Sequence, residues 1–103
     1  MLYVIHGVDK PHSPIREALI DEHRAYLEAC PLDIVASGPL VDETGTRMIG
    51  SVVVVDCAHR GEVDRMMADE PFNRAGLYES LHVNRWFQRV GEIAEQPRET
   101  VSA

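Results

Sequence analysis

The sequence predicts an α+β domain in which an antiparallel four-stranded sheet is packed against two helices, in the order βαββαβ. Four runs are rich in Val, Ile and aromatic residues and are separated by turn-forming residues, which is typical of strands. Two of the intervening segments carry apolar residues three and four positions apart, which is typical of amphipathic helices. The length of 103 residues suits a single domain.

The first strand and the first helix are predicted from local signals near the N-terminus. Residues 2–8 form an apolar run and are assigned to the strand. Ser13 and Pro14 then supply a helix start, with serine as the N-cap and proline at the first helical position. The helix is expected to end near Ala29, because Pro31 disfavours helical geometry in the residue before it.

The second and third strands are predicted over residues 34–41 and 48–56. Pro39 cannot donate a hydrogen bond to a neighbouring strand, so it belongs at a strand end or at an edge of the sheet. The third strand contains four consecutive valines, at 52–55. This continuous apolar character indicates that both faces of the sheet are covered. The two helices cover one face, so a second copy of the chain is expected on the other, which predicts a homodimer.

The second helix is predicted over residues 60–68, and the last strand over 77–87. Alternation along this strand places Leu81 and Val83 on the inward face and Tyr78 on the opposite face. The complete order is that of the ferredoxin-like unit.

The domain is expected to span residues 1–90, and residues 91–103 are expected to form a polar tail without periodicity. No role is assigned to this tail.

Composition excludes several classes of function. The net charge of −7 argues against a nucleic-acid binder, which needs a basic face. Cys30 and Cys57 are far apart in sequence, which favours two reduced cysteines in a cytoplasmic protein. The apolar N-terminus is too short for a membrane span or a signal peptide. We therefore expect a cytoplasmic protein with small-molecule or protein partners and no membrane association.

No motif predicts a cofactor. The chain has no glycine-rich dinucleotide or phosphate loop, no serine-hydrolase elbow and no zincin helix. Its five histidines show no close pairing that would predict a metal site. We expect neither a cofactor nor a metal.

His23 is the unusual residue of the first helix. It lies four residues from both Leu19 and Leu27, and so shares their inward face. An imidazole there needs a polar partner, because burying it without one costs free energy. Two interpretations remain open, a structurally satisfied histidine and a catalytic acid or base.

Two adjacent acids, Asp69 and Glu70, end the second helix just before Pro71. Either acid could cap a short helix that begins at the proline. The two helices lie side by side in a βαββαβ fold, so an acid at this position could also reach His23. A carboxylate bonded to one ring nitrogen fixes the tautomer and raises the basicity of the other nitrogen.

The chain resembles the YCII (YciI-like) family in five segments: residues 1–5, 23–27, 37–39, 50–52 and 69–78. The most specific segment reads Asp-Glu-Pro-Phe followed by Ala-Gly-Leu-Tyr. The resemblance runs to about Phe87 and implies a ferredoxin-like fold that pairs into a dimeric α/β barrel.

The resemblance also implies a site. It assigns His23 and Asp69 as the catalytic pair, which leaves Glu70 as the capping residue. Ser51 belongs to the family's Gly-Ser element and is expected to contact the substrate, although a serine in a strand can equally bond the backbone. Residues 38–39, Gly38 and Pro39, are expected to border the same cleft.

We therefore hypothesise a small cofactor-independent enzyme that uses a histidine–aspartate pair on a small cyclic or aromatic substrate. A lyase or dehalogenase, or an isomerase, fits a pair that moves protons. The alternative is a non-catalytic domain that binds a small ligand, or an accessory domain, in which the pair is a structural hydrogen bond.

Overall fold

The computed structural model describes residues 1–93 and confirms the predicted order, with one short helix added. Residues 94–103, most of the predicted polar tail, lie outside the described residues. The elements are β1 (Leu2–Asp9), α1 (Ile15–Glu28), β2 (Asp33–Val41), β3 (Met48–Asp56), α2 (Arg60–Asp69), α3 (Pro71–Arg74) and β4 (Tyr78–Trp86).

The four strands form one antiparallel sheet in the order β2-β3-β1-β4. The main core lies between one face of this sheet and helices α1 and α2. From the sheet it takes alternate residues of the two central strands, such as Ile5 and Val55, and from α2 it takes Val63 and Met66. These side chains are almost fully buried, because the apolar stripe of each helix faces the inward positions of the strands.

The opposite face of the sheet is also apolar but less covered. Val4 and Val52 belong to this face, and both are partly exposed. His6 lies on the same face, and it pairs with His82 of the edge strand β4. Of the four valines at 52–55, Val53 and Val55 pack against the helices. Val54 on the opposite face is 7% exposed, and Val52 on that face is partly exposed.

Tyr78 lies on the helical face, so the predicted alternation of β4 is wrong at its first residue. The pairing register shifts between Val8, which faces Ser80, and Asp9, which faces Tyr78. The extra residue in β4 is a bulge, and a bulge reverses the side-chain alternation beyond it. Gly7 provides the space: a Cβ atom there would lie 2.7 Å from carbons of the Tyr78 ring.

Replacing Gly7 with Ala should lower the free energy of unfolding by about 1–3 kcal/mol, because the added methyl group overlaps the buried ring of Tyr78. Urea denaturation measures the change. The matched control is Gly38→Ala in the edge strand β2, where a Cβ would meet no atom within 4 Å. Equal stabilities of the two variants would contradict this account of the bulge.

The chain between α2 and α3 is arranged around Glu70. Its backbone is extended, with φ −64° and ψ 128°, as expected for a residue before proline. Pro71 begins α3, and the Glu70 side chain accepts a hydrogen bond from the backbone N–H of Phe72. Glu70 is therefore the N-cap of α3, as one of the two sequence interpretations predicted.

Candidate active site

The Glu70 carboxylate holds two groups at once. The residue is only 2% exposed. One oxygen, Oε2, accepts the backbone N–H of Phe72 at 2.5 Å, and the other, Oε1, lies 3.0 Å from Nδ1 of His23. The cap thus fixes the carboxylate in the position from which it meets the histidine of the other helix.

His23 is held by this carboxylate and by an aromatic ring. Its imidazole stacks on Phe72, with ring centroids 4.1 Å apart and an interplanar angle of 14°. Because a carboxylate accepts hydrogen bonds, the neutral imidazole carries its proton on Nδ1 and leaves the Nε2 lone pair available.

The second ring nitrogen, Nε2, has no hydrogen-bond partner within residues 1–93. The side chain of His23 is 12% exposed. A fixed tautomer whose other nitrogen is not hydrogen-bonded is the arrangement required of a general base.

The carboxylate that bonds His23 is not the one expected from the sequence. Asp69 is the last residue of α2 and is exposed, and its side chain forms no hydrogen bond or ion pair in the described part of the chain. The extended backbone at Glu70 instead turns the next side chain inward. The expected hydrogen bond is therefore corrected from Asp69 to its neighbour.

Arg16 lies two helical turns before His23 on the same face of α1 and is only 8% exposed. Its guanidinium binds the Asp9 carboxylate through two hydrogen bonds of 2.7 and 2.9 Å. It also donates to Oγ of Ser51 at 2.8 Å and lies 4.7 Å from the centroid of the Phe72 ring. Burial alone would lower the pKa of Arg16, but its hydrogen bonds and attraction to Asp9, together with its interactions with Tyr78, raise the pKa.

Tyr78 completes this hydrogen-bonded group. Its hydroxyl donates to Oγ of Ser51 at 3.0 Å, and its ring meets Phe72 edge to face at 6.5 Å between centroids. Burial raises the pKa of Tyr78 to about 12, against the opposing effect of the Ser51 hydrogen bond. The phenol therefore stays protonated at neutral pH.

The structure separates the three residues that the sequence assigned to substrate binding. Ser51 is buried and bonds Arg16 and Tyr78. Both of these residues contact the ring of Phe72, on which His23 stacks. Pro39 pairs with Ser51 in the sheet and shares its face. Gly38 directly precedes Pro39 in β2. It therefore lies on the opposite face of the sheet, away from His23.

A cleft of about 660 Å³ lies at the end of β1, between the start of α1 and the β2–β3 connection. Asp9, Arg16 and Ile20 are among the residues that line it. His23 follows Ile20 by one turn along the same helix, so the wall of the cleft leads toward the histidine.

Sequence reasoning missed Arg16 and Asp9. The available signal was spacing, since Arg16 precedes His23 by two turns and so shares its inward face. Its partner Asp9 ends the first strand beside the start of the helix. The contact between them depends on how the strand and the helix meet, which no local pattern specifies.

Within residues 1–93, no cluster of three or more histidine, cysteine or acidic side chains is arranged to hold a metal ion. In the same range, no helix combines the length and the apolar character needed to cross a membrane.

The fold is a ferredoxin-like α+β domain, and its buried histidine and glutamate form a hydrogen-bonded pair. Residues 1–87 match the model of the YCII-related domain, so the chain belongs to this family, as the resemblance predicted. A search of curated protein sequences finds no significant match.

A solved structure gives a more specific comparison. The chain is similar to 5-chloro-2-hydroxyhydroquinone dehydrochlorinase (TftG) from Burkholderia phenoliruptrix AC1100, in complex with 2,5-dihydroxybenzoquinone. The two share 34% sequence identity and superpose with a TM-score of 0.79, over 86% of this chain and 96% of the other. The similar structure therefore belongs to an enzyme that acts on a chlorinated aromatic ring.

Proposed function

We propose that this protein is a lyase that eliminates hydrogen chloride from a small hydroxylated aromatic ring, with His23 as the general acid and base. The observation that carries the proposal is the 3.0 Å hydrogen bond between Nδ1 of His23 and Glu70, which leaves Nε2 as the ring nitrogen for proton transfer. Glu70 is the positioning residue, because it fixes the imidazole without reaching the substrate. The likeness to a dehydrochlorinase supports the reaction class.

The reaction is balanced by proton transfer alone. In a chlorinated hydroquinone, two ring hydroxyls lose their protons and become the carbonyls of a quinone. The chlorinated carbon accepts one proton, and chloride leaves with the electron pair of the carbon–chlorine bond. The net loss is one hydrogen chloride, and Nε2 of His23 can accept a hydroxyl proton and return it to the ring carbon.

The other residues predicted to bind the substrate differ in how strongly their positions support that role. Ser51, held by Arg16 and Tyr78, is proposed to place a hydroxyl group beside a ring oxygen of the substrate. Pro39, paired with Ser51, is proposed to border the same region. Gly38 has the weaker case, since it shares the opposite face of the sheet.

The test is chloride release from 5-chloro-2-hydroxyhydroquinone by the purified protein, followed with a chloride assay and by the absorbance of the quinone product. We expect turnover that is proportional to protein concentration and faster than the spontaneous reaction. Binding of the ring without chloride release would contradict the lyase and favour the non-catalytic ligand-binding alternative.

We also propose that the protein works as a homodimer in the cytoplasm. The partly exposed apolar residues Val4 and Val52 give a second copy a surface to cover, and the two cysteines are free. Light scattering after size exclusion should give twice the chain mass at micromolar concentration, and Val52→Lys should shift it toward one chain mass. A monomeric wild type would contradict the dimer.

A further inference from the structure

The cleft beside β1 and α1 carries an excess of positive charge although the whole chain is acidic. Its lining includes three cationic side chains, those of Lys10, Arg16 and Arg47, and two carboxylates, those of Asp9 and Glu17. The chain as a whole has a net charge of −7. A local reversal of sign in a concave site favours an anionic ligand.

Arg16 offers free donors at the wall of this cleft. The hydrogen bonds to Asp9 and Ser51 use Nε and Nη2 of the guanidinium. Nη1 has no hydrogen-bond partner in the described residues, and Arg16 is among the residues that line the cleft. A guanidinium donates five N–H bonds in a fixed plane, so both Nη1 donors remain for a ligand.

The surroundings of Arg16 fix the direction of these donors. The paired Asp9 carboxylate holds one edge of the guanidinium, and the Phe72 ring lies 4.7 Å from its central carbon. A donor group held in advance loses little conformational entropy when it binds a ligand. The same Phe72 ring carries His23.

We propose that this cleft is an anion-selective subsite in which Nη1 of Arg16 binds an ionised oxygen on a small planar ring. The inference deepens the proposed function and rests on it for the substrate class. It implies that the ring enters as the phenolate or as the ionised hydroxyquinone. Lys10 and Arg47 strengthen binding through long-range attraction, and the bound oxygen directs the ring toward His23.

The test uses isothermal titration calorimetry with two ring probes of matched shape. 2,5-Dihydroxybenzoquinone has acidic hydroxyls that ionise at neutral pH, whereas 2,5-dimethoxybenzoquinone cannot ionise. Wild type should bind the ionised ring about tenfold or more tightly than the methylated ring, because charge-assisted hydrogen bonds are the stronger class. Higher salt should weaken only the binding of the ionised ring.

Variants separate Arg16 from general charge. Arg16→Lys keeps the charge beside Asp9 but removes the planar donors, and should raise the Kd of the ionised ring about 10- to 100-fold. Arg47→Gln should raise it roughly two- to fivefold, because this side chain is exposed. The control of equal charge change is Arg60→Gln, which lies on α2 outside the cleft lining and should bind like wild type.

Equal Kd values for the two rings would overturn the proposal, as would a folded Arg16→Lys variant that binds like wild type. If Arg16→Lys does not fold, an Arg47→Gln variant that binds no more weakly than Arg60→Gln overturns it. Selective binding of the ionised ring without chloride release would support this subsite while contradicting the proposed reaction. Chloride release without selectivity would do the reverse, so the two failures are distinguishable.

Discussion

Replacing His23 with Gln should lower kcat for chloride release by about 10²- to 10⁴-fold, the usual contribution of a positioned general acid or base. Glutamine retains an amide that can bond Glu70 but has no nitrogen that accepts a proton at neutral pH. The neighbouring Glu22→Gln is the matched control, because Glu22 is exposed on the outer face of α1. Chloride release is measured at saturating substrate, with circular dichroism to verify the fold.

The same assay distinguishes the two adjacent acids. Glu70→Gln should lower kcat by about tenfold or more, because the imidazole loses the carboxylate that orients it. Asp69→Asn should have the smaller effect, since Asp69 is exposed and does not bond the ring. A larger loss for Asp69→Asn would restore the pairing predicted from the sequence.

A His23→Gln variant as active as wild type would exclude the acid/base role.

Replacing Phe72 with Ala should lower the free energy of unfolding by about 3–5 kcal/mol, as is usual for removing a fully buried phenylalanine. The ring is 0% exposed and contacts His23, Arg16 and Tyr78, so its loss leaves a cavity between the helices and the sheet. Urea denaturation gives the difference in unfolding free energy.

The matched control for this substitution is Phe87→Ala. Phe87 is 66% exposed, and its ring lies against the Arg85 guanidinium at 4.9 Å. Its removal should change the free energy of unfolding by no more than about 1 kcal/mol. Equal unfolding free energies of the two variants would contradict the packing role of Phe72 against His23 and Arg16.

The features of the site that were predicted correctly from the sequence depend on residues close together in the chain. Hydrophobic periodicity placed His23 on the inward face of α1, and the structure confirms this, since the ring packs on Phe72. The proline after Glu70 predicted an extended residue and a new helix, and both are present. Each of these features depends on residues within one or two helical turns of each other.

The site departs from the sequence prediction where a shift of one residue changes the outcome. Asp69 and Glu70 both carry a carboxylate, so their residue types do not distinguish them. Only the turn between α2 and α3 decides which carboxylate meets His23. Tyr78 offers a second case, because one bulge moves it from the open face of the sheet to the helical face. A one-residue step in a strand always exchanges the two faces.

The sequence by itself determined the βαββαβ order, the family and the inward position of His23, because propensity, periodicity and turn residues act locally. Only the tertiary structure decided that Glu70 holds the imidazole. It also decided that Arg16, Ser51 and Tyr78 form one hydrogen-bonded group beside it. Those contacts join residues far apart in the chain, and their geometry depends on strand register and helix placement, which require the whole core to be packed.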